Sequence, residues 1–313
     1  MSEAPLITVA IPVFNEEPLL GELFARLEAV MDSIPQYRWR IVLADDGSRD
    51  RSASIIEAKV RCDGRFELVA LSRNFGHQAA LMAAISRGAQ LNPDALISLD
   101  GDLQDPPELM GELLKAWSDG AEVVLAVRRS RQEHGLRRMG FDLFHRLFNR
   151  LSDFPIVSNT GTFGLLTAEA LQALVALPER NRFFPGLRSW VGFRTAEVLY
   201  DRQERAAGKP GQTFRRLVNY AMDGILSFSY LPLRLLIYAG MAFCIFGVVL
   251  ASFFVIRRLC GIEIAFTGFT TLVTLLLMIG GAQLIGIGII GQYLARIYDE
   301  VKQRPLYILR KKR

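Results

Sequence analysis

Short β-branched and apolar runs recur through residues 5–130, at Ile7–Pro12, Arg40–Ala44, Phe66–Leu71, Ala95–Leu99 and Glu122–Val127. Between them the apolar positions fall three and four apart, as in Leu19–Met31 and Ala79–Gln90. The first pattern predicts strands and the second amphipathic helices. Their alternation predicts an α/β fold with a mostly parallel sheet covered on both faces. Further helix and strand patterns fill residues 131–205.

Past residue 205 the rhythm changes. Residues 206–211 read as a hinge, and Phe214, Leu217, Val218, Ala221 and Ile225 then recur at helical spacing beside Arg215 and Arg216. Such a helix suits the headgroup plane of a bilayer. Leu235–Ile256 holds 22 residues without a charge and Ile264–Ala295 holds 32. About 20 apolar residues cross a membrane, so each run is long enough for a span. The expected organisation is a catalytic domain over 1–210, a juxtamembrane helix region over 211–234, and two spans within 235–291 (about 235–256 and 266–290). A basic tail over 292–313 follows. Gly280, Gly281, Gly286 and Gly288 in the second run are small enough to let helices pack closely.

Charge places this anchor. The chain of 313 residues carries a formal +5. Its basic residues gather beside the apolar runs, with Arg215, Arg216 and Arg234 before the first, and Arg296, Lys302, Arg304 and Arg310–Arg313 after the second. By the positive-inside bias both termini face the cytoplasm. Arg257 and Arg258 in the connecting loop pull the other way. No basic, aromatic-interleaved patch or nucleic-acid motif is present, so nucleic acid is not expected as a partner. Residues 1–10 show no signal-peptide pattern. Cys62, Cys244 and Cys260 have neither disulfide nor metal spacing.

Polar residues collect where the predicted strands end. They are Asn15-Glu16-Glu17, Asp45-Asp46-Gly47-Ser48, Arg73-Asn74, Asp100-Gly101-Asp102 and Arg128. Ligands of parallel sheets bind beyond the carboxyl ends of the strands, so this convergence predicts an active site. Asp100 and Asp102, one residue apart, suit work on a diphosphate. One carboxylate ligates a hard divalent cation and the other orients a sugar. His77 opens a predicted helix near this cluster, where capping or packing competes with binding. His134 and His145 have no ligand spacing to any Cys or carboxylate.

Five segments together resemble the inverting glycosyltransferases of family 2, with the GT-A fold. They are Pro12-Val13-Phe14-Asn15-Glu16, Asp45-Asp46-Gly47-Ser48, Leu71-Ser72-Arg73-Asn74-Phe75-Gly76, Asp100-Gly101-Asp102-Leu103-Gln104-Asp105-Pro106-Pro107-Glu108 and Asp223-Gly224-Ile225-Leu226-Ser227-Phe228-Ser229. Arg296–Lys302 matches as well. The likeness spans nearly the whole chain and is greatest to bacterial polyprenyl-phosphate glycosyltransferases and dolichol-phosphate mannosyltransferases. It implies that Pro12, Phe14, Glu16 and Asp46 line the nucleoside pocket, with Asp45 among the substrate-binding residues. Asp102 and Gln104 would hold Mg2+ or Mn2+, with Asp100 beside the donor sugar. Arg128, Arg137, Arg138 and Arg205 would bind phosphates of donor or acceptor, which suits the guanidinium fork, and Arg73 would be a further substrate-binding residue. The implied partners are a nucleotide-sugar, UDP-linked by preference, a polyprenyl phosphate and the bacterial inner membrane. The implied assembly is a homo-oligomer, a tetramer in the relatives.

One departure bears on mechanism. Relatives carry Asp-Ala-Gly-Asp-Phe-Arg-Leu near the end of this domain, whereas this chain has Asn159-Thr160-Gly161-Thr162-Phe163-Gly164-Leu165. Asn159 and Thr162 stand where the carboxylates would be. A sugar-hydroxyl acceptor needs a base. A phosphate monoester, with its second pKa about 6, arrives largely ionised. The expected reaction is direct attack by polyprenyl phosphate on the anomeric carbon, with inversion. The lost carboxylates also motivate a second reading, a weakly catalytic nucleotide-sugar-binding scaffold. A processive synthase would need a Gln-x-x-Arg-Trp motif, but here Pro185 precedes Arg188-Ser189-Trp190. A dinucleotide-binding dehydrogenase would need GxGxxG after the first strand, and none is present.

Overall fold

A computed structural model describes residues 4–129, 157, 159–180, 184–201, 231–260 and 269–310. The chain forms two compact units, residues 1–224 with 304–313, and residues 225–303.

The first unit is built on a seven-stranded sheet. In chain order it runs β1 (Leu6–Val13), α1 (Glu17–Ser33), β2 (Arg38–Asp45), α2 (Ser52–Cys62), β3 (Phe66–Ala70), α3 (His77–Ala89) and β4 (Ala95–Ser98). Then come α4 (Met110–Ser118), β5 (Val123–Arg128), β6 (Thr160–Thr167), α5 (Ala168–Ala176), α6 (Phe184–Trp190) and β7 (Thr195–Tyr200). The strand order is β3-β2-β1-β4-β6-β5-β7. Every neighbouring pair is parallel except the two that involve β6. The expected mostly parallel sheet is therefore present, and the five strands expected from the sequence match to within two residues at each end.

The pattern that makes β1 a central strand is visible in its side chains. Ile7, Val9, Ile11 and Val13 point into one hydrophobic layer with α1, α2 and α4, while Ala10 joins the other layer with α3 and α5. A strand buried on both faces is apolar at nearly every position, here at all but the buried Thr8. Helix α1 buries Leu19, Leu20, Leu23, Phe24, Leu27, Val30 and Met31, a stripe at helical spacing. Pro18 sits in its first turn, where no backbone N–H is missed.

The antiparallel β6 has a consequence for function. Because it runs against β4 and β5, its first residues lie at the same sheet edge as their last ones, with Val127 opposite Thr160 and Ser98 opposite Gly164. A register shift between Leu125 and Val127 loosens this corner.

The basic tail expected over 292–313 takes another form. Helix runs to Val301, and the chain beyond it returns to the sheet. Leu309 bridges Leu71 in antiparallel sense, Ser72 N–H donates to the Ile308 carbonyl (2.8 Å) and Arg310 N–H donates to the Ala70 carbonyl (2.8 Å). Tyr307 packs on the hydrophobic layer under α3. The segment thus covers part of the open edge beside β3, which would otherwise present unpaired backbone groups.

The second unit holds two long helices, α7 (Leu231–Leu259) and α8 (Phe269–Val301). At 1.5 Å per residue each exceeds the roughly 30 Å of a bilayer core. Among the described residues one stretch, Met278–Val301, is long and apolar enough to cross a membrane, with mean hydropathy 1.4 and none of it buried. Large apolar side chains are exposed on both helices, including Ile237, Ile245 and Phe246 on α7 and Leu272, Leu276 and Leu284 on α8. Of the four glycines expected to aid packing, Gly286 alone has a neighbour where its Cβ would lie, Leu236 of α7 at 3.6 Å. The juxtamembrane helix expected over 211–234 lies outside the described residues up to position 230.

Candidate active site

The strand ends do converge. After β1, Asn15 takes a left-handed turn (φ 55°), its N–H donates to Ser48 Oγ (3.0 Å), and its side-chain oxygen accepts from Arg49 N–H (2.8 Å). Glu16 N–H donates to Ser52 Oγ (3.0 Å). The loops after β1 and β2 are therefore stitched together by side chain to backbone bonds.

Asp46 extends the stitching to the loop after β3. It is buried, and its two carboxylate oxygens accept from Phe75 N–H (2.7 Å) and Gly76 N–H (2.9 Å). Burial pushes its pKa up, against the lowering effect of those two bonds. Asp45 is buried as well and accepts from Ser48 N–H. Gly47 between or beside these loops admits no side chain: a Cβ would lie 2.6 Å from the Arg73 carbonyl carbon, and its φ is +69°. Asp46 was expected to line a nucleoside pocket and Asp45 to bind substrate; both carboxylates also brace the walls of that corner. Asp46→Asn would leave an amide N–H2 facing one of the two backbone donors. The expected result is a stability loss of about 1–3 kcal/mol, read as a lower urea midpoint.

Other expected pocket residues divide by exposure. Phe14 is exposed at 40%, Glu16 is half-buried, and Pro12 is buried within β1. Arg73 is exposed, with its guanidinium 4.1 Å from the centre of the Phe75 ring. Arg137, Arg138 and Arg205 lie outside the described residues.

Past β4 the chain turns through Asp100, Gly101 and Asp102. Thr162 Oγ1 donates to Asp100 Oδ1 (2.8 Å), and His77 Nε2 lies 3.5 Å from the same oxygen. Two elements from distant parts of the chain, β6 and the start of α3, thus meet on one carboxylate. His77 is half-exposed, so it sits on the site rather than in the core. Asp102 and Gln104 are half-buried on one tight turn, in which Leu103 takes φ 57° and Gln104 N–H donates to Asp102 Oδ1 (3.2 Å). Few oxygen donors of this kind fit a hard divalent cation that keeps phosphate and water as its remaining ligands. Among the described residues no three His, Cys, Asp or Glu gather into a protein-only metal cage.

Arg128, expected to bind phosphate, is largely engaged within the protein. Its Nε donates to Tyr200 Oη (3.1 Å) and its Nη2 lies 3.6 Å from Asp105 Oδ1. Tyr200 in turn donates its hydroxyl to Asp105. Asp105 is fully buried and the Arg128 side chain is 16% exposed. Burial lowers the Arg128 pKa, but the Asp105 carboxylate, helped by the bond to Tyr200, outweighs it and the net shift is upward. Burial, reinforced by Asp105, pushes the Tyr200 hydroxyl up as well. Sequence reasoning missed Asp105 and Tyr200. Their signal was faint, an acidic residue just after the Asp100–Gln104 turn and a tyrosine closing a strand. Asn159, in a left-handed turn (φ 63°), accepts from Arg128 N–H through its carbonyl (3.2 Å). Thr162 is buried beside Asp100.

Comparison with known proteins identifies the family and the fold. Residues 8–175 match the model of the family described as "Glycosyl transferase family 2". The chain is 40% identical over 305 residues to an uncharacterized glycosyltransferase of Synechocystis, covering 97% of this chain and 94% of that protein. It is 38% identical over 307 residues to the bactoprenol glucosyl transferase of Shigella phage SfII, covering 97% of each. Among solved structures, a mannosyltransferase of Pyrobaculum calidifontis in complex with GDP-Man and Mn2+ superposes with a TM-score of 0.50 at 15% identity. That match covers 71% of this chain and 64% of the other, and supports a GT-A-like fold.

Proposed function

We propose, because this chain belongs to glycosyl transferase family 2 and is a glycosyltransferase, that it moves a hexose from a nucleotide-sugar to polyprenyl phosphate. The donor is UDP-linked by preference, and the reaction takes place at the cytoplasmic face of a bacterial inner membrane for envelope glycan modification. The observation that carries this reading is the strand-end cluster of Asp100, Asp102 and Gln104, on a chain that aligns nearly end to end with bactoprenol glucosyl transferases.

In this reading Asp102 and Gln104 hold Mg2+ or Mn2+, which when bound offsets charge on the departing diphosphate. Asp100, fixed by Thr162, accepts a hydroxyl of the donor sugar. Phe14 and the loop braced by Asp46 border the nucleoside, and Arg73 meets donor phosphate. An oxygen of polyprenyl phosphate attacks the anomeric carbon while the bond from that carbon to the nucleoside diphosphate breaks, so the configuration inverts. No proton has to be removed from a dianionic acceptor. A neutral Thr162 beside Asp100 is therefore compatible with turnover, and catalysis consists of holding two anionic partners together. Helix α8, with α7 as the expected second span, keeps the enzyme beside a lipid that cannot leave the bilayer.

The test is transfer from radiolabelled nucleotide-hexoses in proteoliposomes containing either polyprenyl phosphate or the corresponding polyprenol. Label is expected in the phosphate-bearing lipid alone. Equal labelling of the alcohol would overturn the acceptor assignment, and absence of transfer from every donor would overturn the activity.

A further inference from the structure

The segment Arg188-Ser189-Trp190 belongs to no part of the site described so far, yet Arg188 is the most deeply buried cation among the described residues, at 2% exposure. Its Nη2 donates to the Gly161 carbonyl (3.1 Å), and its Nη1 to the carbonyls of Phe163 (3.3 Å) and Thr162 (3.5 Å). Among the described residues its acceptors are all main-chain carbonyls of β6. Burial lowers its pKa to about 10, which leaves it charged at neutral pH.

A buried charge is costly unless it is well bonded. This one is spent on three consecutive carbonyls that an ordinary strand would pair with a neighbour. They lie where the pairing of β5 with β6 slips, between Leu125 and Val127. The strand cannot form a regular ladder at that point, and the guanidinium fork takes the place of the missing donors. Ser98 adds a fourth bond, donating its hydroxyl to the Thr162 carbonyl (2.5 Å). Gly164 makes room: a Cβ there would come 2.7 Å from Arg188 Nη1 and closer still to the Val124 carbonyl. Held this way, Thr162 presents its hydroxyl to Asp100 at 2.8 Å.

We infer that Arg188 is a positioning residue for sugar transfer: it fixes the irregular start of β6 so that Thr162 orients the Asp100 carboxylate toward the donor sugar. A planar fork suits this role and a lysine ammonium does not, because one point charge cannot span three carbonyls in fixed geometry. The inference rests on the transferase reading of the site, and adds to it that the orientation of Asp100 is set from inside the sheet.

The experiment compares wild type, Arg188→Lys, Arg188→Gln, Thr162→Val, Thr162→Ser and the double variant Arg188→Lys/Thr162→Val. It uses full-length protein in proteoliposomes and measures kcat and donor KM separately, with thermal unfolding recorded for each. Arg188→Lys and Thr162→Val are each expected to lower kcat at least tenfold with little change in donor KM. The double variant is expected to fall no further than the worse single one, since both act through one hydroxyl–carboxylate bond. Thr162→Ser, which keeps the hydroxyl, is expected to retain most of the rate. Three results would overturn the inference: wild-type kcat in Arg188→Lys, losses that multiply in the double variant, or loss of cooperative unfolding in both Arg188 variants, which would assign the residue to stability alone. An inactive wild type would instead remove the transferase reading itself, so the two failures are distinguishable.

Discussion

Asp102→Ala is expected to lower the rate of sugar transfer about 100- to 1,000-fold, the loss that follows when one preorganised stabiliser of leaving-group charge is removed. The free protein's thermal midpoint stays within about 2 °C of wild type, as expected for a substitution outside the core. These two expectations come from the same fact. Asp102 is half-buried on the turn after β4, held with Gln104 around the left-handed Leu103, and is not part of either hydrophobic layer. In the proposed reading its carboxylate serves a cation and not packing. The loss should therefore appear with a raised divalent-ion requirement, visible as a rightward shift when transfer is followed against Mn2+ or Mg2+ concentration. Gln104→Ala should shift the same curve less, because a neutral amide oxygen gives up less charge than a carboxylate. Full turnover by Asp102→Ala at low metal concentration would remove the metal role from this turn.

Much of the sheet was legible because a central parallel strand has little freedom in composition. Ile7–Val13 must be apolar on both faces, and no helix pattern competes with it. The site was legible as a set of polar residues at strand ends, since the topology of a parallel sheet sends those ends to one edge. What each polar residue does there was less readable. Asp46 has the chemistry of a ligand-binding carboxylate, but spends it on the backbone N–H groups of Phe75 and Gly76. Nothing in the local sequence separates the two uses, because the donors lie 29 and 30 positions away. Thr162 looked like the loss of a base. Only the antiparallel entry of β6, a property of strand order, shows that its hydroxyl meets Asp100. The tail was read from its charges, whereas Tyr307, Ile308 and Leu309 carried the information that it pairs and packs. Arg188 entered only as part of an incomplete Gln-x-x-Arg-Trp match, since burial of an arginine cannot be seen along the chain.

The buried pair of Asp105 and Arg128 is the place where a single substitution should cost the fold most. Asp105→Ala removes the carboxylate 3.6 Å from a largely buried guanidinium, and Arg128→Met removes that guanidinium from beside a fully buried carboxylate. Each is expected to lower stability by about 3–5 kcal/mol, the usual cost of orphaning one member of a buried ion pair. The double variant should cost clearly less than the sum, because no charge is then left stranded. The coupling, of the order of 0.5–3 kcal/mol, is read from a double-mutant cycle in urea. Tyr200→Phe should cost less than either single change, as it removes one hydroxyl and keeps both charges. The same cycle decides what Arg128 does in catalysis. Its fork is already shared between Tyr200 and Asp105, so the double variant, once folded, should keep a donor KM close to wild type. A donor KM that rises sharply in every variant lacking Arg128, whatever its stability, would show instead that the guanidinium reaches donor phosphate. A cycle with no coupling would show that Asp105 and Arg128 do not depend on one another at all.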